Sequence, residues 1–226
     1  MKVTYLGHAS LGIEINGKHL IVDPFISANE LAKHIDLNAL KADYILLTHA
    51  HQDHVLDVEV LAERTGATVI CNAEMSYYYA EKGLKVIGMN TGGSLELDSI
   101  HLKSTIAFHS SSFADGTYGG NPNGYVLSNG EKRIYIAGDT ALTLEMKLIP
   151  THTGKIDLAI LPIGDHFTMG IEDACSAADF VECNRVLGYH YDTFPPIQID
   201  HSAAKNHFEE KGKELLLLPI GDFVEV

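Results

Sequence analysis

Thr48-His49-Ala50-His51-Gln52-Asp53-His54 follows directly on the apolar run Tyr44-Ile45-Leu46-Leu47. A continuous apolar run of that length reads as a strand buried on both faces. In open α/β sheets, ligand sites form outside the carboxyl ends of strands. The plain alternative is a solvated turn that is His-rich by chance, and the buried strand in front of it argues against that. His49 and His51, at i and i+2, can point the same way in an extended turn and offer two neutral nitrogens to one ion. Asp53 and His54 lie just beyond, at the start of the next helix, where they can serve a second. Imidazole and carboxylate ligands suit zinc, iron, manganese and related ions.

The same grammar recurs downstream. His109 follows Ile106-Ala107-Phe108, Asp139 follows Ile134-Tyr135-Ile136-Ala137-Gly138, and His190 follows Val186-Leu187-Gly188-Tyr189. Any one of these taken alone is more often a structural or surface residue. Four apolar strands that all end in ligand-type residues are hard to read as chance.

Around these strands the pattern predicts further elements. Residues 3–6 and 11–15 alternate as strands, Asn16-Gly17 gives a tight hairpin turn, and residues 19–22 return. Residues 29–41 read as loop with a short helix. Residues 55–65, 73–82, 171–182 and 202–211 read as helices, the first stopped by Gly66. Strands are expected at 68–71, 86–87, 94–97, 100–108, 125–127, 133–136, 158–161, 186–189 and 214–218. Residues 110–123 form a polar Ser-, Gly- and Asn-rich loop beside His109, a candidate substrate loop. Strand pairs followed by strand–helix alternation occur roughly twice. That predicts one domain over residues 1–226, of α/β class, with two similar halves and two mixed sheets packed face to face under outer helices.

Composition narrows the function. The 226 residues carry 16 Lys and Arg against 30 Asp and Glu, a formal net charge of −14. That argues against a large non-specific nucleic-acid footprint, because such affinity comes from neutralised phosphates. A small phosphorylated substrate stays open, since bound divalent ions reverse the local sign. Cys71, Cys175 and Cys183 do not form a disulfide framework. Neither a signal peptide nor a membrane span is read from the chain, so a cytoplasmic location is the default expectation. There are 13 histidines and no tryptophan.

The sequence resembles the metallo-β-lactamase-fold hydrolases, through His49-Ala50-His51-Gln52-Asp53-His54, the downstream His109, Gly138-Asp139-Thr140 and the final His190. Tyr5-Leu6-Gly7-His8-Ala9-Ser10, Phe167-Thr168-Met169-Gly170 and His190-Tyr191-Asp192-Thr193-Phe194-Pro195 look like a compact bacterial and archaeal branch. That branch comprises UPF0173-like metal-dependent hydrolases similar to the L-ascorbate-6-phosphate lactonase relatives. The resemblance spans essentially the whole chain. It implies a four-layer αββα sandwich with the site at one edge between the sheets. It also implies that His49, His51 and His109 bind a first metal, that Asp53, His54 and His190 bind a second, and that Asp139 bridges both. The expected cofactor is two divalent ions, zinc first, with manganese, iron or nickel as alternatives. The diiron flavoproteins of this fold carry Glu where this chain has Gln52, which disfavours redox chemistry, and no other cofactor is expected.

The activity expected is cleavage of an ester, lactone or phosphodiester in a small molecule by water activated between two metals. Asp53 would orient that water. No serine or cysteine nucleophile is needed, and Ser110, Ser111 and Ser112 read as loop residues or partners of ligands. His8 and His166 are the candidates for protonating the leaving group, with hydrogen bonding to a ligand as the plainer alternative for each. Asp23 either holds a ligand histidine in its tautomer or caps a turn, and Asp192 and Thr193 share that ambiguity. Two competing functions are a nuclease of the tRNA-processing kind, which lacks its basic arm here, and a non-catalytic metal-binding scaffold. Membership of the superfamily also raises the expectation of a homo-oligomer.

Overall fold

A computed structural model describes all 226 residues. The first sheet contains β1 (Lys2–Gly7), β2 (Ser10–Ile15), β3 (Lys18–Val22), β4 (Tyr44–Leu46), β5 (Thr68–Cys71) and β6 (Val86–Gly88). The second contains β7 (Ser94–Leu97), β8 (Ile100–Ile106), β9 (Asn123–Ser128), β10 (Arg133–Ile136), β11 (Leu158–Pro162), β12 (Arg185–Tyr189) and β13 (Glu214–Leu216). The last strand, β14 (Phe223–Glu225), crosses back to the first sheet. The two seven-stranded orders are β14-β1-β2-β3-β4-β5-β6 and β13-β12-β11-β10-β9-β8-β7. The helices are α1 (Gln52–Val55), α2 (Val58–Thr65), α3 (Ala73–Glu81), α4 (Leu148–Thr153), α5 (Ile171–Phe180) and α6 (His201–Glu210).

Period-two alternation explains the layering. Ile134 and Ile136 of β10 and Leu158 and Ile160 of β11 face the first sheet, where they meet Leu11, Leu20, Leu46 and Ile70 in one apolar cluster. The intervening Tyr135, Ala159 and Leu161 face outward and pack with Ala174, Ala178, Ala204 and Phe208 of α5 and α6. In the first sheet, Ile45 and Val69 face outward onto Val58, Leu61 and Met75 of α2 and α3. Each central strand is therefore apolar on both faces, which is why its sequence runs without alternation. Helix, sheet, sheet and helix make the four layers expected.

Turn chemistry sets the registers. Asn16 and Gly17 both sit at positive φ, 50° and 76°, between the paired Ile15 and Lys18, as a two-residue primed turn requires. Two helices carry side-chain caps, and one of them serves more than its helix. Asp200 accepts from the amides of Ser202 and Ala203 at the start of α6. Asn72 caps α3 through Met75 N, while its amide donates to the carbonyls of Gly119 and Asn121.

Beyond short shifts at element ends, as where β8 stops at Ile106 and β13 at Leu216, the structure differs from the sequence expectation in three places. Residues 55–65 divide into α1 and α2 at Leu56-Asp57. Asp57 accepts from Ile26 N, Ser27 N and the Ser27 hydroxyl, anchoring the segment after β3 at that break. Residues 144–153 are helical, because Pro150 falls in the first turn of α4, where its missing N–H has no helical partner to lose. Strand β14 escapes a periodicity reading because only Val224 of its three residues is buried.

Candidate metal centre

Strand direction builds the site. β1, β3, β4 and β5 run one way, since β2 is antiparallel to both neighbours while β3, β4 and β5 are mutually parallel. In the second sheet β8, β10, β11 and β12 likewise share one direction. The residues leaving these carboxyl ends meet at one edge of the sandwich. His8 follows β1, Asp23 follows β3, His49 to His54 follow β4, His109 follows β8, Asp139 follows β10 and His190 follows β12. Two backbone hydrogen bonds lock the sheets together there, His190 N to His8 O at 2.8 Å and Asn123 N to Thr48 O at 2.9 Å.

The donor atoms gather around one carboxylate oxygen. Asp139 Oδ2 lies 3.0 Å from His190 Nε2, 3.4 Å from His54 Nε2, 3.6 Å from His109 Nε2 and 3.9 Å from His49 Nε2. His49, His51 and His109 form one group of converging donors, with His49 Nε2 and His51 Nδ1 2.9 Å apart. Asp53, His54, His190 and His8 form another. Asp139 faces imidazoles of both. All seven residues expected as ligands are therefore brought together.

Buried side chains fix which nitrogens face the centre. Asp23, wholly buried, accepts from Thr48 N at 2.8 Å and from the Thr48 hydroxyl at 2.6 Å, and His54 Nδ1 lies 2.8 Å from Asp23 Oδ2. The Thr48 oxygen is in turn 2.9 Å from His49 Nδ1. With Nδ1–H donating in both rings, His49 and His54 turn their Nε2 lone pairs inward. Asp23 thus sets two tautomers at once, one directly and one through Thr48.

That arrangement fits a cation. His54 Nε2, Asp139 Oδ1 and both ring nitrogens of His190 are buried without a hydrogen-bond partner, and such groups are rarely left orphaned. Burial holds the His49 imidazole well below its ordinary pKa and lowers His51 and His109. Burial alone would raise the Asp139 carboxyl, but His190 and His54 hold it well below the carboxylate range. Neutral imidazoles and an ionised carboxylate are the protonation states that bind metal. Burial opposes charge on His54, yet Asp139 and Asp23 on its two sides raise it well above the usual imidazole value.

A family model described as beta-lactamase superfamily domain matches residues 18–191. The chain belongs to the beta-lactamase superfamily. It is 59% identical over 226 residues to a UPF0173 metal-dependent hydrolase of Flavobacterium johnsoniae, with all of both chains covered. It is 56% identical to a UPF0173 metal-dependent hydrolase of Christiangramia forsetii, again over both full lengths. A solved structure of Igni18, a metallo hydrolase from the archaeon Ignicoccus hospitalis, superposes with a TM-score of 0.90 at 35% identity, covering 99% of this chain and 97% of that one. The chain is accordingly a metal-dependent hydrolase of that superfamily, and the two-sheet α/β sandwich is the metallo-β-lactamase fold.

The remaining site candidates of this superfamily member separate. His8 is buried, with Nε2 2.9 Å from Asp53 Oδ2 and Nδ1 2.9 Å from the Thr193 hydroxyl, so both ring nitrogens are engaged. Thr193 is thereby linked to Asp53 through His8, while Asp192 pairs with His201. His166 lies outside both donor groups, exposed in the segment between β11 and α5, its ring edge-on to Phe167 at 4.5 Å. Ser110 Oγ approaches His51 Nε2 at 3.3 Å, and Ser111 accepts from Ala50 N. Gly138 takes φ +68°, and a Cβ there would stand 2.7 Å from the Asn123 carbonyl, so the turn presenting Asp139 needs glycine. His8, Asp23, Asp165, His166, His190 and Asp192 also have positive φ. Such left-handed residues concentrate at functional sites, held by the structure around them.

Sequence reasoning did not find Asn72. Its amide holds Gly119 and Asn121 of the 110–123 loop at the start of α3, and the only signal was a cap-type residue after β5.

Proposed function

We propose that this hydrolase binds two divalent cations, zinc in the first instance, and cleaves an ester, lactone or phosphodiester bond in a small molecule. The observation that carries the reading is the position of Asp139 Oδ2, 3.0–3.9 Å from four imidazole nitrogens drawn from two donor groups. One carboxylate facing two such groups is the arrangement of a bridging ligand. His49, His51 and His109 would hold one ion, Asp53, His54 and His190 the other, and Asp139 both. When bound, the ions supply Lewis acidity and lower the pKa of water toward neutrality.

The chain's own groups do the rest. His8 holds Asp53 through Oδ2, leaving Oδ1 free of the chain to orient the attacking water. Burial would raise the Asp53 carboxyl, but the His8 hydrogen bond and the nearby His54 keep it well below the ordinary range, so it stays an acceptor. The side chains of Asp53 and His109 are 29% and 15% exposed, against 0–3% for His49, His54, Asp139 and His190, so the site opens on their side. We assign His166, exposed on a segment leaving β11, the role of leaving-group acid. We assign His8 the role of orienting Asp53, since its ring nitrogens are taken by Asp53 and Thr193.

The test is elemental analysis of purified protein joined to a panel of esters, lactones and phosphodiesters. Two ions per chain, loss of turnover with a chelator and return with zinc are the expected results. One ion per chain, or turnover indifferent to chelation, overturns the proposal.

A further inference from the structure

The edge where the donor groups open carries a set of exposed aromatic side chains. Phe108, Tyr118, Phe167 and Phe194 all stand in solvent on segments leaving the carboxyl ends of β8, β11 and β12, with Phe108 72% and Phe167 54% exposed. Single exposed apolar residues are ordinary, but a group of them beside a buried cluster of ligand-type side chains marks a binding surface. Their placement is fixed by contacts with the site. Phe108 N donates to the Thr140 hydroxyl at 2.9 Å, and Phe108 O accepts from Ala141 N at 3.1 Å, which holds Phe108 against the turn carrying Asp139. Met169 N donates to Thr140 O at 3.1 Å, tying the Phe167 segment to the same turn. Phe194 packs 5.3 Å from the His8 ring, which bonds Asp53.

Charge completes the picture. The stretches immediately after the strand ends, residues 8–9, 23–29, 47–57, 107–122, 137–143, 163–170 and 190–200, contain none of the chain's 16 Lys and Arg residues, and Lys33 and Lys41 come only further along the connection from β3 to β4. They do carry the exposed carboxylates of Asp115 and Asp165. An anionic group on a substrate, away from the bond being cleaved, would find no lysine or arginine there and would be repelled by the carboxylates and by a net charge of −14.

We infer that the substrate presents an uncharged apolar acyl or aryl group to this rim, and that substrates with an anionic tail are refused. The inference rests on the hydrolase reading above and narrows it. The cleaved bond lies at the donor groups, the apolar group rests on Phe108, Phe167 and Phe194, and binding energy comes from removing both surfaces from water. A half-open rim gives about two- to fourfold in kcat/KM per added methylene, the upper value being that of full burial.

The experiment uses zinc-loaded protein and p-nitrophenyl esters of acetate, butyrate, hexanoate and octanoate. Partners of matched length end in a carboxylate or a trimethylammonium group. In parallel, calorimetry follows binding of the non-hydrolysable hexanoyl and carboxylate-tailed amides to wild type and to Phe108→Ser and Phe194→Ser. Expected are a rise in kcat/KM with chain length and at least a tenfold penalty for the carboxylate tail. The neutral amide should bind with a negative heat-capacity change, weakened at least fivefold by either substitution. A flat series, or a preference for either charged tail, overturns the inference while leaving the hydrolase reading intact. If no ester turns over, the ester branch of the proposed function is at fault and calorimetry decides this inference: neutral-amide binding lost in the Phe variants supports it, and equal or absent binding of the two amides overturns it.

Discussion

Asp23→Asn isolates what the buried support beneath the site contributes. Asp23 Oδ2 faces two donors, the Thr48 hydroxyl at 2.6 Å and His54 Nδ1 at 2.8 Å, and Oδ1 accepts from Thr48 N at 2.8 Å. In the variant the carbonyl oxygen can keep the Thr48 amide, which puts the new NH2 against two groups that were donating. The favourable answer is for His54 to move its proton to Nε2, and for Thr48 to turn its hydroxyl toward His49 Nδ1, pushing the His49 proton to Nε2 as well. Both inward lone pairs are then lost. Losing one such outer contact costs roughly 10–100-fold in metal affinity, or about 1.4–2.8 kcal/mol. Because Asp23 governs rings on both sides of Asp139, the expected loss is about 100-fold. The fold should survive, since burial already pushes the Asp23 carboxyl up and an uncharged side chain of equal size lowers the desolvation cost. Competition with a chromophoric chelator measures the affinity, and circular dichroism with a thermal melt confirms folding. A folded Asp23→Asn protein that binds zinc within threefold of wild type would refute the tautomer argument.

Other perturbations test separate layers of the account. Asp139→Asn removes the charge that both donor groups face and should lower kcat/KM by at least about 100-fold with loss of bound metal, read by steady-state kinetics and elemental analysis. Gly138→Ala places a Cβ 2.7 Å from the Asn123 carbonyl at φ +68° and should cost about 1–3 kcal/mol in denaturant unfolding. Leu46→Ala opens a cavity in the core between the sheets, at a wholly buried position, and should cost about 2–5 kcal/mol, lowering Tm by about 4–20 °C. Burial pushes the Cys71 thiol up to about 12 and raises Cys175 and Cys183. Native protein should therefore resist a thiol reagent at pH 8 while the unfolded chain reacts. Above pH 9 the unfolded chain loses its thiol protons first, so stability should fall as pH rises from about 9 toward 12, seen in melts across that range.

The sequence by itself determined the local parts of this protein. Ligand residues were legible because each follows directly on a strand whose burial shows as an unbroken apolar run, as Leu46 and Ile136 illustrate. The hairpin at Asn16-Gly17 was legible because its backbone angles admit few residue types. Tertiary structure alone decided what depends on strand order and direction. Nothing local says that Asp23, 31 positions before His54, lies under its ring, or that Thr193 and Asp53 meet through His8. It also decided that β14 closes the first sheet beside β1, and that Phe108, Phe167 and Phe194 share one rim. Hydrophobic period reports how a segment is buried, and composition reports which chemistry it can offer. Which segments end side by side is fixed only when two sheets pack their apolar faces and bring their parallel strands to a common edge.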